Sequence, residues 1–217
     1  MDLADAFAPF QDLATRLLPL GLGEGDDGAH DLSHLLRVWR NVRAIMAEEG
    51  GDADILLAAT LLHDAVAVPK DSPDRAAAST RAAKRASTAL HALGWATSRV
   101  DAVSHAIAAH SFSAGITPMT TEARVLQDAD RLDALGYVGV ARCFHVSGQL
   151  NRVLYDPNDP AAKDRPLDDL AFALDHFATK LLRLQDSFQT TTGARLAKER
   201  SAVIAAFRDG LLDEVGD

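Results

Sequence analysis

Leu61-Leu62-His63-Asp64-Ala65-Val66 is the stretch that decides how this chain is read. It closes an apolar run, Ile55 to Leu62, that carries no charged side chain, and the pattern predicts a helix over about residues 53–67. An apolar helix is a poor place for a carboxylate, because a buried ionised group is costly unless a cation or several donors compensate it. A histidine alone in this position reads as a satisfied core residue. Asp64 beside it turns the pair into a candidate site.

Two other segments supply partners. On the N-terminal side, a helix over 32–49, capped by Asp31 or Ser33, carries Leu35, Val38, Val42 and Ile45 at helical spacing. His34 lies within one residue of that apolar stripe. On the C-terminal side stands Leu126-Gln127-Asp128-Ala129-Asp130-Arg131-Leu132-Asp133. With Leu126 as angular zero and about 100° per residue, Asp130, Asp133, Tyr137 and Val140 share one face and Asp128 lies nearly opposite. Asp130 is therefore expected to point inward and Asp128 outward. Two imidazoles and two carboxylates suit a borderline or hard divalent metal with room for water.

Elsewhere Ala and Leu dominate, and no β-branched stretch alternates apolar and polar residues, so the chain is expected to be all-α. Breaks are expected at Gly21 to Gly28, Gly50-Gly51, Val68 to Ser72, Gly94, Ser113 to Pro118 and Tyr155 to Pro166. The last is the one long irregular stretch, and is read as a surface loop rather than a boundary. One domain is expected over 1–217, with a core of about 29–145 and helices of about 167–215 packed on it.

The ordered set His34, His63-Asp64, Asp130 resembles the H…HD…D pattern of the HD-domain metal-dependent phosphohydrolase superfamily. Longer stretches carry the resemblance further: Ala29-His-Asp-Leu-Ser-His-Leu-Leu-Arg-Val38, Lys70-Asp-Ser-Pro-Asp-Arg75, Ala109-His-Ser-Phe-Ser-Ala114, Gln127 to Asp133, and Asp175-His-Phe-Ala-Thr-Lys-Leu-Leu-Arg-Leu184. They are similar to the small stand-alone bacterial YedJ/YpgQ-like branch. That resemblance implies an all-α HD-type helical bundle with additional C-terminal helices and a bound divalent metal. It also implies hydrolysis of a phosphate ester or anhydride, with a nucleotide or similar small phosphorylated metabolite as the expected substrate.

The expected ligands are His34, His63, Asp64 and Asp130, holding one divalent ion, with Mn²⁺, Mg²⁺, Co²⁺, Ni²⁺, Zn²⁺ and Fe²⁺ all open. A metal-bound water or hydroxide is the expected nucleophile, since such an ion lowers the pKa of its water and polarises a phosphoryl oxygen. Phosphoryl transfer asks mainly for positioning and charge neutralisation. Asp64 and His110 are the expected catalytic side chains. His110 shares the apolar face of a helix over 98–110 with Val103 and Ile107, so a core histidine is the competing reading. Lys70 and Arg75, in a Pro-punctuated loop, are candidate phosphate clamps or else a solvated surface. His30, one turn before His34, is a further candidate lining residue, and Ser79 a weaker one.

The remaining histidines, 91, 105, 145 and 176, carry no motif that lifts them above surface or structural roles; His91 lies off its helix's apolar stripe. Asp133 is read as a structural partner of Arg37 or Arg131. The segment after the doublet, Ala65-Val66-Ala67, departs from the HD-x-x-E pattern of some nucleotidases in the superfamily, so no side-chain base is carried over from them. No G-x-x-x-x-G-K-[ST] loop is present. An HD-fold diiron oxygenase and a non-catalytic nucleotide-binding regulatory module stand as alternatives.

Composition narrows the partners. The chain has 217 residues, 31 acidic and 22 basic, for a net charge of −9. That balance disfavours a long nucleic-acid partner, whose binding rests on clustered Lys and Arg. No apolar run approaches the roughly 20 residues that cross a bilayer. The single cysteine, Cys143, suits a reducing compartment, and a cytoplasmic location is expected.

Overall fold

Asp52 opens the helix around which the first part of the chain is built. Its carboxylate accepts the N–H groups of Asp54 and Ile55 at 3.0 and 3.1 Å, satisfying donors that have no partner inside a helix. Arg99 grips the same carboxylate through both terminal nitrogens, at 2.7 and 2.8 Å, and lies over the Trp95 ring. The Arg99 hydrogen bond holds Asp52 below the usual carboxylate range.

The computed structural model describes residues 3–22, 32–66, 77–111 and 114–216. They form two compact units, Met1–Asp130 and Arg131–Asp217. The elements of the first are a 3-10 helix η1 (Leu3–Phe7), α1 (Gln11–Gly21), α2 (Leu32–Glu49), α3 (Ala53–Leu62), α4 (Ala78–Ala92), α5 (Thr97–His110) and most of α6 (Thr121–Leu132). The second holds α7 (Gly136–Gln149), α8 (Asp175–Thr179), a 3-10 helix η2 (Leu181–Ser187) and α9 (Thr191–Val215). No strand occurs among the described residues; one isolated bridge joins Val153 and Phe172. The fold is all-α. No helix among them is long and apolar enough to cross a membrane.

Helix α3 is the core of the first unit. Every residue from Ile55 to Leu62 is buried, so the helix is apolar all round and must be enclosed. Helices α1, α2 and α5 pack on it, and α4 packs along α5. Burying Leu56, Leu57 and Leu61 completely contributes roughly 1.5–3 kcal/mol each. The approach of α1 is close: a Cβ on Gly21 would land on the carbonyl oxygen of Leu61. Helix α3 ends at Leu62, short of the expected 67, which leaves the doublet at its C-terminal end rather than within it.

The second unit departs from the expected pattern at its start. The face drawn through Leu126, Asp130, Tyr137 and Val140 assumed one continuous helix. Instead α6 stops at Leu132, and the chain turns through residues 133–135 and enters α7 at Gly136, whose φ is +68°. Tyr137 consequently lies 81% exposed. Asp133 is buried and pairs with Arg142 at 2.6 Å. Phe144, Phe177 and Phe207 meet with ring centroids 5.8–5.9 Å apart. The irregular segment before Pro166 is tied down from within. Asp159 accepts the N–H groups of Lys163, Asp164 and Arg165, and Arg165 reaches both carboxylate oxygens of buried Asp175.

Gly21→Ala is expected to cost about 1–3 kcal/mol, because backbone rather than a movable side chain stands in the way. Thermal unfolding checks this against Gly148→Ala in α7, where nothing lies within 4 Å of the added methyl. The first variant should lose several degrees and the second none; equal midpoints would contradict the close approach.

Candidate metal centre

Three helices and one helix end in the first unit bring the site together. Helix α2 carries His34 on its buried side, His63-Asp64 directly follows the end of α3, α5 ends in His110, and the last turn of α6 carries Asp130. The three imidazoles are buried, His34 and His63 each to 1% exposure, whereas the side chains of Asp64 and Asp130 remain 32% and 27% exposed. The cluster thus has an imidazole floor and an open carboxylate rim.

Donor separations are short. The Nε2 atoms of His34 and His63 lie 3.2 Å apart. Asp64 Oδ2 is 3.5 Å from the first and 3.4 Å from the second; Asp130 Oδ1 is 3.5 and 3.8 Å from them. Ligands about 2.1 Å from a common ion stand roughly 3.0–3.4 Å apart along the edges of an octahedron or tetrahedron. The His34–His63 and His63–Asp64 separations fall in that range and the others are somewhat longer, and His34, His63 and Asp130 form one grouping that could hold a metal ion, with Asp64 beside it. His110 stands beside them, its Nε2 3.7 Å from Asp64 Oδ1 and its ring edge-on to His63 at 4.8 Å. His63, Asp64 and His110 form a second grouping of possible ligands, which shares His63 with the grouping of His34, His63 and Asp130.

Hydrogen bonds fix which nitrogens face the cluster. His63 Nδ1 lies 2.8 Å from the Thr60 carbonyl and His110 Nδ1 2.6 Å from the Ile107 carbonyl. A carbonyl oxygen accepts and does not donate, so each Nδ1 carries the proton. Both rings then present Nε2 to the cluster, the orientation a metal-ligating histidine takes when a backbone carbonyl holds its other nitrogen.

Electrostatics follow from the two carboxylates. Burial works against a charged His63, but the Asp64 charge and the hydrogen bond and charge of Asp130 outweigh it and hold this imidazole up at about 9. Against their own burial, the surrounding histidines hold Asp64 and Asp130 well below the usual carboxylate range. Burial and the neighbouring His63 charge push His110 down, which favours its neutral form. Without a metal, a proton on His63 plays the cation's part.

Other expectations resolve individually. His30, Lys70 and Arg75 lie outside the described residues. Asp128, expected outward, is fully buried, because α6 also buries Val125, Leu126, Gln127 and Ala129 and is enclosed on more than one face. Ser79 is buried in the first turn of α4 and donates to the Ala108 carbonyl at 3.0 Å. His91 and His145 are exposed. His105 accepts the Met119 N–H, and in the second unit His176 pairs with Asp169. Arg85 was missed: from α4 it donates to the Ala65 carbonyl at 2.9 Å, which sets a cation next to the doublet. In the sequence it looks like one more member of the solvated run Arg81-Ala-Ala-Lys-Arg85.

The pKa directions make a prediction. A raised His63 contributes stability that is complete below its ordinary value of 6.5 and is lost as pH climbs through about 9. The depressed carboxylates contribute stability that is complete above 3.8 and is lost in acid. A metal must displace the His63 proton, so its own stabilisation should grow across the range in which that proton is lost. Thermal shifts with and without Mn²⁺, from about pH 6 to about pH 8.5, should widen with pH; a shift independent of pH would contradict this charge assignment.

Comparison with known proteins agrees with the geometry. The HD domain family model matches residues 31–135, which span the whole donor set. YpgQ of Bacillus subtilis is 32% identical over 186 residues, 84% of this chain and 82% of YpgQ. The crystal structure of YpgQ in complex with ADP superposes with a TM-score of 0.69 at 29% identity, covering 98% of each chain. An HD-superfamily hydrolase from Bacillus thuringiensis gives 0.67 at 29% identity, over 97% of this chain and 96% of that one. With its donors in that order and on those helices, the chain belongs to the HD-domain family.

Proposed function

We propose that this protein is a divalent-metal-dependent phosphohydrolase acting on a nucleotide or a similar small phosphorylated metabolite. The observation that carries the reading is the convergence of Asp64 and Asp130 oxygens to 3.4–3.8 Å from two imidazole nitrogens that are themselves 3.2 Å apart, in a cluster buried on the nitrogen side and open on the carboxylate side. A related hydrolase of the same superfamily and the ADP complex of YpgQ support the reaction class and the substrate class. When bound, the ion supplies Lewis-acid charge to a phosphoryl oxygen and makes a nearby water easier to deprotonate.

The chain's own groups do the rest. Asp64 faces both ways, with Oδ2 toward His34 and His63 and Oδ1 toward His110, so it holds a ligand position and orients a water at once. His110, kept neutral and with its proton on Nδ1, takes up a proton at Nε2 as the water oxygen bonds to phosphorus. The leaving oxygen takes a proton from solvent as its bond to phosphorus breaks, and His110 returns to its neutral form by releasing the water's proton to solvent. Lys70, Arg75 and His30 are assigned to the phosphate and its ester group, and Arg85 adds a cation beside the doublet. The grouping of His63, Asp64 and His110 favours a second reading, a diiron oxygenase; two irons per chain by elemental analysis would replace the first.

A screen of nucleotides and sugar phosphates against Mn²⁺, Mg²⁺, Co²⁺ and Ni²⁺, with orthophosphate and pyrophosphate measured separately, tests the proposal. Turnover should appear for at least one pair and vanish in the double variant His63→Ala/Asp64→Ala, while His110→Ala should lower kcat by about 10²–10⁴-fold. Turnover that survives the double variant would overturn it, as would ligand binding without turnover under any metal.

A further inference from the structure

The backbone beside Asp64, His110 and Asp130 is held by side chains from other helices. Asn41 on α2 donates through Nδ2 to the carbonyl of Ala129, the residue before Asp130, at 2.9 Å. Gln127 on α6 donates through Nε2 to the carbonyl of Ala109, the residue before His110, at 2.6 Å. On the far side, Ser79 of α4 donates to Ala108, and Arg85 of α4 donates to Ala65, the residue after Asp64. The ties run in series from α2 through α6, α5 and α4 to the doublet. The His34–His63 approach closes the ring.

Helix-end carbonyls need donors, and capping alone accounts for some partner at each position. It does not account for the choice of partner. Asn41 sits on the helix that carries His34, seven residues and about two turns further along. Gln127 sits on the helix that carries Asp130, three residues before it. Each amide thus couples one ligand-bearing helix to the residue adjoining another helix's site residue. Gln127 does so at a cost, since its Oε1 is buried with no hydrogen-bond partner among the described residues, and an orphaned buried acceptor costs about 1–3 kcal/mol. A methionine of nearly the same shape would avoid that cost.

We propose that Asn41 and Gln127 are positioning residues: two buried amides, in α2 and α6, that set the separations of His34, Asp130 and His110 and so the fit of the centre to its ion. The inference rests on the metal reading above and concerns how the metal is held. Neither residue touches the ion or the substrate; each acts through the backbone it holds.

The test is the dissociation constant for Mn²⁺ of the purified, metal-stripped protein, measured by calorimetric titration beside the unfolding midpoint of the same metal-free sample. A change in fold stability alone leaves the affinity of the folded protein unaltered, whereas displaced ligands weaken it. Gln127→Met should raise the constant by about 10–100-fold with its metal-free midpoint within a few degrees of wild type. Asn41→Leu should do the same, and it is an independent arm if one variant does not fold. Turnover should fall through kcat rather than through KM. Trp39→Phe, which alters the same α2 core without touching a tie, should leave the constant unchanged. An unchanged constant in both tie variants, or an equal rise in Trp39→Phe, would overturn the inference with the metal reading intact. A wild-type protein that binds no divalent ion would overturn both.

Discussion

Two imidazole nitrogens 3.2 Å apart in a dry part of the protein are the constraint on which the rest of the first unit turns. The Thr60 carbonyl holds the proton of neutral His63 on Nδ1, which leaves its Nε2 facing His34 as a bare lone pair. A proton or a metal ion must therefore lie between the rings. Asp64 and Asp130 are the counter-charges, and their exposed rims leave that cation reachable from solvent. This pairing of a buried floor with an open rim lets a site hold a cation and still admit a phosphate.

Helix ends supply the positions. His63 and His110 sit at the C-terminal ends of α3 and α5, where a side chain reaches its own last turn and the helix dipole favours positive charge. Each ring turns back to the carbonyl three residues earlier, so the helix that delivers the histidine also orients it. Helix α3 is fixed at its other end by the Asp52 cap and the Arg99 fork, and along its length by complete burial. A rigid core helix and a reactive doublet at its tip are consequences of one apolar run ending in two polar residues.

The all-α class, and the clustering of His34, His63, Asp64 and Asp130, were legible because both depend on local pattern: helical spacing of Leu35, Val38, Val42 and Ile45, and charged residues at the end of an apolar run. His110 was placed on its buried face by the same periodicity, and His91 off it. What periodicity missed has physical causes. Asp128 was turned outward on the premise that α6 buries one face, and α6 buries more. Tyr137 was drawn onto the site face across a turn that Gly136 makes possible with its positive φ. Arg85, Asn41 and Gln127 act on backbone carbonyls of other helices. Such contacts leave no mark in the sequence until the helices are packed.

The charge of −9 sets no obstacle to a phosphorylated substrate. Surface charges are screened beyond about 8 Å at physiological salt, so the net charge says little about a site where a cation bound by the cluster would stand next to its ligand. The account stands or falls on whether one ion occupies the space between the two Nε2 atoms. Anomalous diffraction from a crystal grown with Mn²⁺, recorded on either side of the manganese edge, measures that directly. The account predicts one strong peak within bonding distance of His34 Nε2, His63 Nε2, Asp64 and Asp130; a peak bound elsewhere, or none at saturating Mn²⁺, would contradict it.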